Sequence, residues 1–124
     1  MLKKLILLFA LISNQLCFSQ KMQYEFERFS IDEGLSQSTI YCVTQDFLGY
    51  MWFGTEDGLN RFDGFNFTIF SSNSLDKNSL SSNRVMSLLE DSQKNLWVGT
   101  IGGGLNLYNR NIDGFSAFRH EQGN

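Results

Sequence analysis

Short hydrophobic runs alternate with polar stretches from about residue 40 to residue 118. The first four runs occupy residues 40–45, 50–55, 59–62 and 67–70. The stretches between them contain Asp, Asn and Gly, which stabilise turns through side-chain hydrogen bonds or tolerate a positive φ. Short runs bounded by such residues are typical of β-strands. The pattern therefore predicts four short strands joined by tight turns.

The same pattern recurs about 45 residues later, in hydrophobic runs at 85–90, 95–100, 105–108 and 115–118. When Trp52 is aligned with Trp97, the two copies share a series of identities that one inserted residue in the second copy interrupts. The positions that we assign to the structural repeat are Asp46, Gly49, Trp52, Gly54, Thr55, Gly58, Leu59, Asp91, Trp97, Gly99, Thr100, Gly104 and Leu105. An internal repeat of this length indicates that one structural unit occurs twice.

The last strand of each unit has the pattern Phe-x-x-Phe, and this pattern also occurs once before the first unit, at residues 26–29. Within residues 20–34 we therefore predict a strand of the fourth type, which would complete a sheet whose other strands lie elsewhere. Residues 35–79 then form the first complete unit. Residues 80–124 form the second, which is truncated in the loop that follows its last strand.

Four strands in a period of about 45 residues is the spacing of β-propeller blades. A single blade has two apolar faces and buries them only against neighbouring blades. The sequence thus predicts an all-β fold class, with two four-stranded antiparallel blades of an incomplete propeller after an N-terminal signal-peptide helix. Closed propellers have roughly 4–8 blades, so two blades and one additional strand do not close a ring.

The two tryptophans are expected to pack between blades, with Gly54 and Gly99 leaving room for a close approach. The alternative is that the tryptophans stack on sugar rings. In the turn before the second tryptophan, Lys94 stands where the first copy has Gly49, and we expect Asn95 to take the left-handed conformation there.

Residues 1–19 have the outline of a secretory signal peptide. Lys3 and Lys4 precede an apolar run of 8 residues, which is too short for a bilayer span of about 20. Cleavage after Ser19 would make Gln20 the new N-terminus. An uncleaved anchor and a lipidated Cys17 are the alternatives.

Loss of Lys3 and Lys4 with this segment removes two positive charges, so the formal charge of −3 becomes −5. An acidic chain is not expected to bind nucleic acid directly. The 12 Phe residues and the absence of Pro agree with a β-rich chain. After cleavage Cys42 is the only cysteine, so it forms no internal disulfide; it aligns with Ser87 and is expected to be a small buried strand residue.

No motif for catalysis, a metal or a cofactor is found, and the chain itself is predicted not to be an enzyme. His120 is the only histidine and is expected on the surface of a loop. Asp57, Asn60 and Asp63 lack the spacing of a calcium loop and are interpreted as turn formers. The ligand-binding residues are unknown at this stage.

The phrase D-x-x-x-x-x-W-x-G-T-x-x-G-L-x-x-[FY], at residues 46–62 and with one insertion at 91–108, resembles the two-component regulator propeller repeat. The resemblance covers residues 24–118 and implies the periplasmic sensor of a hybrid two-component histidine kinase of the type found in Bacteroidetes. Such a parent protein is expected to be a membrane-anchored dimer in the inner membrane. Its remaining blades would be partners of this segment, and its ligand an oligosaccharide.

A second hypothesis is that the chain is part of an exported propeller enzyme that acts on polysaccharide, because a fold alone does not decide function. A third is an assembly fragment without function. A membrane span and kinase motifs downstream of residue 124 would favour the sensor. A stop after one complete ring of blades would favour the enzyme.

Overall fold

The computed structural model describes residues 1–4, 6 and 21–120. The predicted cleavage site between Ser19 and Gln20 lies outside these residues. Within the described ranges, the helices are too short or too polar to cross a membrane. Residues 40–118 form two four-stranded antiparallel sheets, which confirms the predicted fold class.

The strands follow one another along the chain in the same order as they lie in each sheet. Their bounds differ from the predicted runs by no more than one residue at either end. The first sheet contains β1 (Ile40–Gln45), β2 (Met51–Thr55), β3 (Gly58–Phe62) and β4 (Phe67–Phe70). The second sheet contains β5 (Val85–Glu90), β6 (Leu96–Thr100), β7 (Gly104–Asn109) and β8 (Gly114–Phe118).

The core lies between the two sheets. Strand β5 lies against β1 and β2, so the first strands of the two units are neighbours. Both sheets and the connection between them supply side chains to the core, which comprises Trp52, Leu59, Leu80, Val85, Leu96, Val98, Tyr108 and Phe115. Each sheet therefore covers one face of the other, as expected for adjacent blades.

The turns show that conformation follows the position in the repeat and not the residue type. Gly49 has a φ of 91°, and Lys94 at the equivalent position has a φ of 65°. The expectation that Asn95 would take the left-handed conformation is wrong. Asn95 instead donates both its backbone N–H and its side-chain amide to Asp91, which fixes it at the start of the next strand.

The strand predicted within residues 20–34 finds no partner strands in the described chain and stays a prediction. Residues 21–29 have no strand conformation, and Ile31–Glu33 form a 3-10 helix capped by Ser30. Gly34 ends this helix with a φ of 113°. A strand needs a partner edge for its N–H and C=O groups, and the segment has no hydrogen-bonded strand beside it in the described chain.

Candidate functional site: the interface between the two blades

Trp52 lies at the centre of the interface and is fully buried. Its ring centroid is 4.9 Å from that of Tyr108 in the second sheet, with the rings edge to face. On its own sheet it stacks on Phe70 at 5.7 Å. Aromatic pairs at these separations contribute about 0.5–1.5 kcal/mol beyond the area they bury. The structure thus places Trp52 between blades.

Asp46 holds the turn before β2 and also orients the tryptophan. Its carboxylate accepts hydrogen bonds from the backbone N–H groups of Leu48 and Tyr50, both at 3.0 Å. Trp52 Nε1 donates to the same carboxylate at 2.9 Å. Asp46 therefore stabilises the turn and also fixes the orientation of the Trp52 indole ring.

Arg110 reaches across from the turn after β7 and joins the two blades. Its Nη1 lies 2.9 Å from Asp46 Oδ2, and its Nη2 lies 3.4 Å from Glu90 Oε2. The Asp46 side chain is fully buried in this arrangement. Burial opposes ionisation of the carboxyl group, but the hydrogen bonds from Trp52 and Arg110 prevail and lower its pKa.

Asp91 repeats the arrangement in the second blade without the arginine. Trp97 Nε1 donates to Asp91 Oδ2 at 2.9 Å, and Asn95 Nδ2 donates to the same oxygen at 3.0 Å. The hydrogen bonds from Trp97 and Asn95 lower the pKa of Asp91 to about 2. Trp97 is only partly buried, because no further blade covers its face within the described chain.

A second cross-blade contact is centred on Arg61 of β3. Its guanidinium lies between 5.2 and 5.5 Å from the ring centres of Tyr50, Trp52 and Phe70. Nη1 donates to Tyr108 Oη at 2.6 Å and to Asp113 Oδ1 at 2.7 Å.

Tyr108 in turn donates its hydroxyl proton to Asp113. Burial, followed by the hydrogen bond to Asp113, raises the pKa of Tyr108 to about 12. Tyr108 therefore stays a neutral hydrogen-bond donor across the ordinary pH range. Neither arginine could be predicted from the repeat, because Arg61 occupies a variable position where the second copy has Leu107, and Arg110 follows the repeated phrase.

The recurring Leu-Ser pair explains why the repeat begins before the first strand. Ser36 donates its backbone N–H to Asn60 Oδ1 at 2.8 Å and accepts from Asn60 Nδ2 at 2.8 Å. Its hydroxyl lies 3.0 Å from Thr55 Oγ1, which donates to the carbonyl of Gly58 at 2.9 Å. Asn60 is fully buried in β3, so its interpretation as a turn former is wrong.

The second blade has the same network among Ser81, Thr100, Gly104 and Asn106. Buried polar groups are costly unless they are hydrogen-bonded. In both copies the Asn and the Ser satisfy each other. The Thr of Gly-Thr and the Gly and Asn of Gly-Leu-Asn thus form one polar clamp, which ties the segment before each blade to the second and third strands of that blade.

Two glycines of the repeat lie where a side chain would not fit. A Cβ on Gly54 would come within 2.7 Å of Val85 Cγ1 in the other blade and would also meet Cys42 Sγ. A Cβ on Gly99 would meet the Ser87 hydroxyl. Cys42 is half-buried opposite Gly54, and burial raises the pKa of its thiol.

The remaining repeat positions shape the turn between the second and third strands. A Cβ on Gly58 would lie 2.6 Å from the Phe70 carbonyl oxygen, and Gly104 has a φ of 76°. Leu59 is fully buried between the sheets, whereas Leu105 is 41% exposed. Leu105 and Trp97 of the second copy are therefore partly exposed to solvent, whereas their counterparts in the first copy are buried.

The described residues contain no group of three or more His, Cys, Asp or Glu side chains that could hold a metal ion. His120 is exposed, as expected. A shallow pocket of about 270 Å³ lies beside Lys94, Tyr108 and Arg110. The acidic groups of the interface are engaged in turns or ion pairs, so the arrangement joins and orients blades and does not present an acid–base pair to a substrate.

Comparison with known proteins identifies the repeat. The profile described as "Two component regulator propeller" matches residues 34–57 and 79–102. Each of the two units is therefore similar to the two-component regulator propeller repeat. Both matched segments contain the Leu-Ser pair, the aspartate, the tryptophan and the Gly-Thr pair, so the family signature includes the Ser and Thr of the clamp described above, whereas the Asn of the clamp lies just beyond each match.

Two relatives extend the similarity. The protein histidine kinase P4 of Formosa agariphila is 43% identical over 63 residues, which make up 51% of this chain and 5% of that protein. The crystal structure of the extracellular domain of a hybrid two-component system of B. thetaiotaomicron matches with a TM-score of 0.71 and 33% identity, over 81% of this chain and 14% of that chain. This propeller chain thus spans only a small part of either relative.

Proposed function

We propose that this chain is part of an exported, ligand-sensing propeller of a hybrid two-component signalling protein, and that its ligand is an oligosaccharide. The observation that carries the proposal is the likeness to an extracellular domain of such a system over 81% of the chain. Under this proposal the protein lies in the periplasm, and the parent is a histidine kinase anchored as a dimer in the inner membrane. Further blades of the parent complete the ring.

The connections at one rim of the blades carry polar side chains that are suited to bind a polar ligand. Residues 71–84 join the blades and lie at the same rim as the turns at 56–57 and 101–103. A pocket of about 300 Å³ at this rim is lined mainly by polar side chains, including Asn73, Lys77 and Arg119. Such groups match the hydroxyls of a sugar, and a full ring would present several similar connections around one axis.

The binding test uses the complete exported part of the parent protein. Isothermal titration with a panel of defined oligosaccharides should give saturable binding of at least one of them. The same protein incubated with the matching polysaccharide should release no new reducing ends and no unsaturated product. Catalytic turnover would favour the exported enzyme, and the absence of binding across the panel would contradict an oligosaccharide sensor.

Export is tested separately. Residues 1–25 fused to a reporter that is active only outside the cytoplasm should give activity, and the processed product should begin at Gln20. A fusion in which Lys3, Lys4 and the following apolar run are removed is the matched control and should stay inactive. Cytoplasmic retention of the intact fusion would contradict the periplasmic location.

A further inference from the structure

The first strand of each blade begins with a β-bulge at the same position of the repeat. The pairing of β1 with β2 shifts register between Ile40 and Cys42, so Tyr41 is the additional residue. The pairing of β5 with β6 shifts in the same way at Met86. A bulge turns a side chain out of the regular pleat, and bulges are frequent beside binding sites.

The two bulges lie on the side of the blades that faces the axis of a propeller. Of all strands in the two blades, β1 and β5 approach each other most closely across the interface. The blades of a propeller surround a central channel, and the strands that converge face it. Tyr41 bonds to the turn at residues 56–57, which belongs to the rim described above. The Tyr41 side chain therefore lies at the mouth of the channel.

Tyr41 belongs to a group of polar side chains that spans both blades. Its hydroxyl donates to Glu56 Oε2 at 3.3 Å, and Arg84 Nη2 lies 3.4 Å from Glu56 Oε1. The backbone holds the connection over this turn, because the Gly58 N–H donates to the Asn83 carbonyl at 2.7 Å. The main chain thus fixes the arginine of one blade beside the carboxylate of the other.

Folding of the blades does not account for this group. The side chains of Arg84 and Glu56 are 53% and 46% exposed, and an exposed ion pair of this length contributes little to stability. The second blade has Met86 and Ile101 at the positions of Tyr41 and Glu56, and it forms the same four-stranded sheet. The repeat therefore keeps the bulge but not the side chains that it presents.

We propose that Tyr41, Glu56 and Arg84 bind one sugar unit of a neutral oligosaccharide. Tyr41 is 43% exposed, and its ring offers an apolar face to the C–H side of a pyranose. A carboxylate only accepts hydrogen bonds and a guanidinium only donates them, so two adjacent sugar hydroxyls find a partner of each kind. Both contacts of Glu56 exceed the roughly 2.5–2.9 Å of charge-assisted hydrogen bonds, so hydroxyl groups can replace them.

The charges at the mouth favour a neutral sugar over an acidic one. Asp57 follows Glu56 in the turn and is exposed, so two carboxylates lie near one guanidinium. A uronate or sulfate group would add negative charge beside them, which Coulomb repulsion opposes. Among the described residues, those that line the outer pocket beside Asn73 and Arg119 include no aromatic side chain for stacking.

This assignment rests on the proposed oligosaccharide ligand, and the test separates the two. The complete exported part of the parent is titrated calorimetrically with xylotetraose, mannotetraose, cellotetraose and tetragalacturonate. At least one neutral tetrasaccharide should bind, and it should bind more tightly than tetragalacturonate. Absence of binding by every sugar would overturn both proposals. A preference for tetragalacturonate would overturn only the assignment to a neutral sugar.

Two variants locate the bound sugar. Tyr41→Met introduces the residue that the second blade has at this position, and Arg84→Ala removes the guanidinium. Each should weaken binding of the neutral tetrasaccharide roughly tenfold and leave thermal unfolding unchanged, because both side chains are partly exposed. Lys77→Ala removes an exposed cation from the outer pocket and is the control, with unchanged affinity expected. Full affinity in both test variants would overturn the assignment and leave the proposed function intact.

Hydroxyl-radical footprinting of the unaltered protein gives a second readout that needs no variant. Tyr41 and Met86 should be oxidised in the free protein and protected when the neutral tetrasaccharide is bound. Leu75, which is 95% exposed in the connection between blades, is the control and should be labelled equally in both states. Equal labelling of Tyr41 with and without the sugar would also overturn the assignment.

Discussion

A single pair of residues, aspartate and tryptophan six positions apart, recurs in two different surroundings. Asp46 and Trp52 are buried between blades and joined by Arg110, whereas Asp91 and Trp97 lie on a face that no described residue covers. In both copies the Trp Nε1 to Asp distance is 2.9 Å. The pair therefore forms within one blade, and the neighbouring blade adds burial and charge to it.

The acid titration of Asp91 is a direct test of this pair. Its pKa lies near 2, below the ordinary value of 3.8, because Trp97 and Asn95 donate to its carboxylate. A carboxyl group with a depressed pKa in the folded state contributes stability that is present above about pH 4 and is lost as the pH falls toward 2. The Asp91 side-chain carbon should therefore titrate near pH 2 by NMR. An inflection near pH 4 would contradict the hydrogen-bonded arrangement.

Trp52→Ala and Trp97→Ala, made in the complete protein, distinguish a core role from sugar stacking. Loss of a large buried aromatic side chain costs about 3–5 kcal/mol, and we expect each variant to lose that much free energy of unfolding in denaturant titrations. Leu75→Ala, at an exposed position, should change stability by less than about 0.5 kcal/mol. The oligosaccharide affinity of the folded variants should stay unchanged; a stable variant that no longer binds would favour sugar stacking.

At the scale of strands and turns, the sequence determines most of what is seen. Short apolar runs bounded by Asp, Asn and Gly predicted the strands, because turn chemistry is local. The Asp–Trp hydrogen bond and the Ser–Asn clamp were missed because they join residues that only the folded sheet brings together. Arg61 and Arg110 were missed because cross-blade partners leave no periodic signal. The strand predicted within residues 20–34 stays a prediction, because strand formation depends on a partner edge that the described chain does not supply.

Gly54→Ala tests how closely the strands of neighbouring blades approach. The added methyl group would meet Cys42 Sγ in its own sheet, and Val85 Cγ1 at 2.7 Å and the Val85 carbonyl oxygen at 3.1 Å in the other blade, so both the sheet and the blade interface must adjust. Overpacking of this kind costs about 1–3 kcal/mol. Gly102→Ala is the matched control: its φ is +81° but nothing lies within 4 Å of the new Cβ, so it adds backbone strain without a clash. Equal losses in thermal unfolding for the two variants would contradict the close approach.

On the scale of the whole molecule, the described residues cover the outer faces of the two blades only in part. Val43, Leu89 and Phe118 are each more than half exposed. Apolar surfaces and open sheet edges of this kind promote association. These open faces therefore determine how residues 20–124 behave on their own.

We expect the isolated segment of residues 20–124 to aggregate or to unfold without a sharp transition, and to show neither ligand affinity nor kinase activity. Light scattering at micromolar concentration and a thermal scan with reheating measure this. The complete exported part of the parent, treated in the same way, is the control and should unfold cooperatively. A monomeric segment with a sharp, reversible transition would show that two blades are sufficient for a stable fold.

Each interface is formed by one face of a unit and the opposite face of the next unit. This arrangement affects how the gene can gain or lose units. Every unit carries a tryptophan-bearing face and, on its other side, the face with the aromatic residue of the third strand, such as Tyr108. Unequal recombination that adds or deletes one whole unit of about 45 residues joins two faces that already fit, wherever the breakpoint falls within the unit. A change in blade number therefore keeps the aromatic contacts of each interface, and it requires new substitutions only for ion pairs such as Arg61–Asp113, because the second unit has Leu107 in place of Arg61.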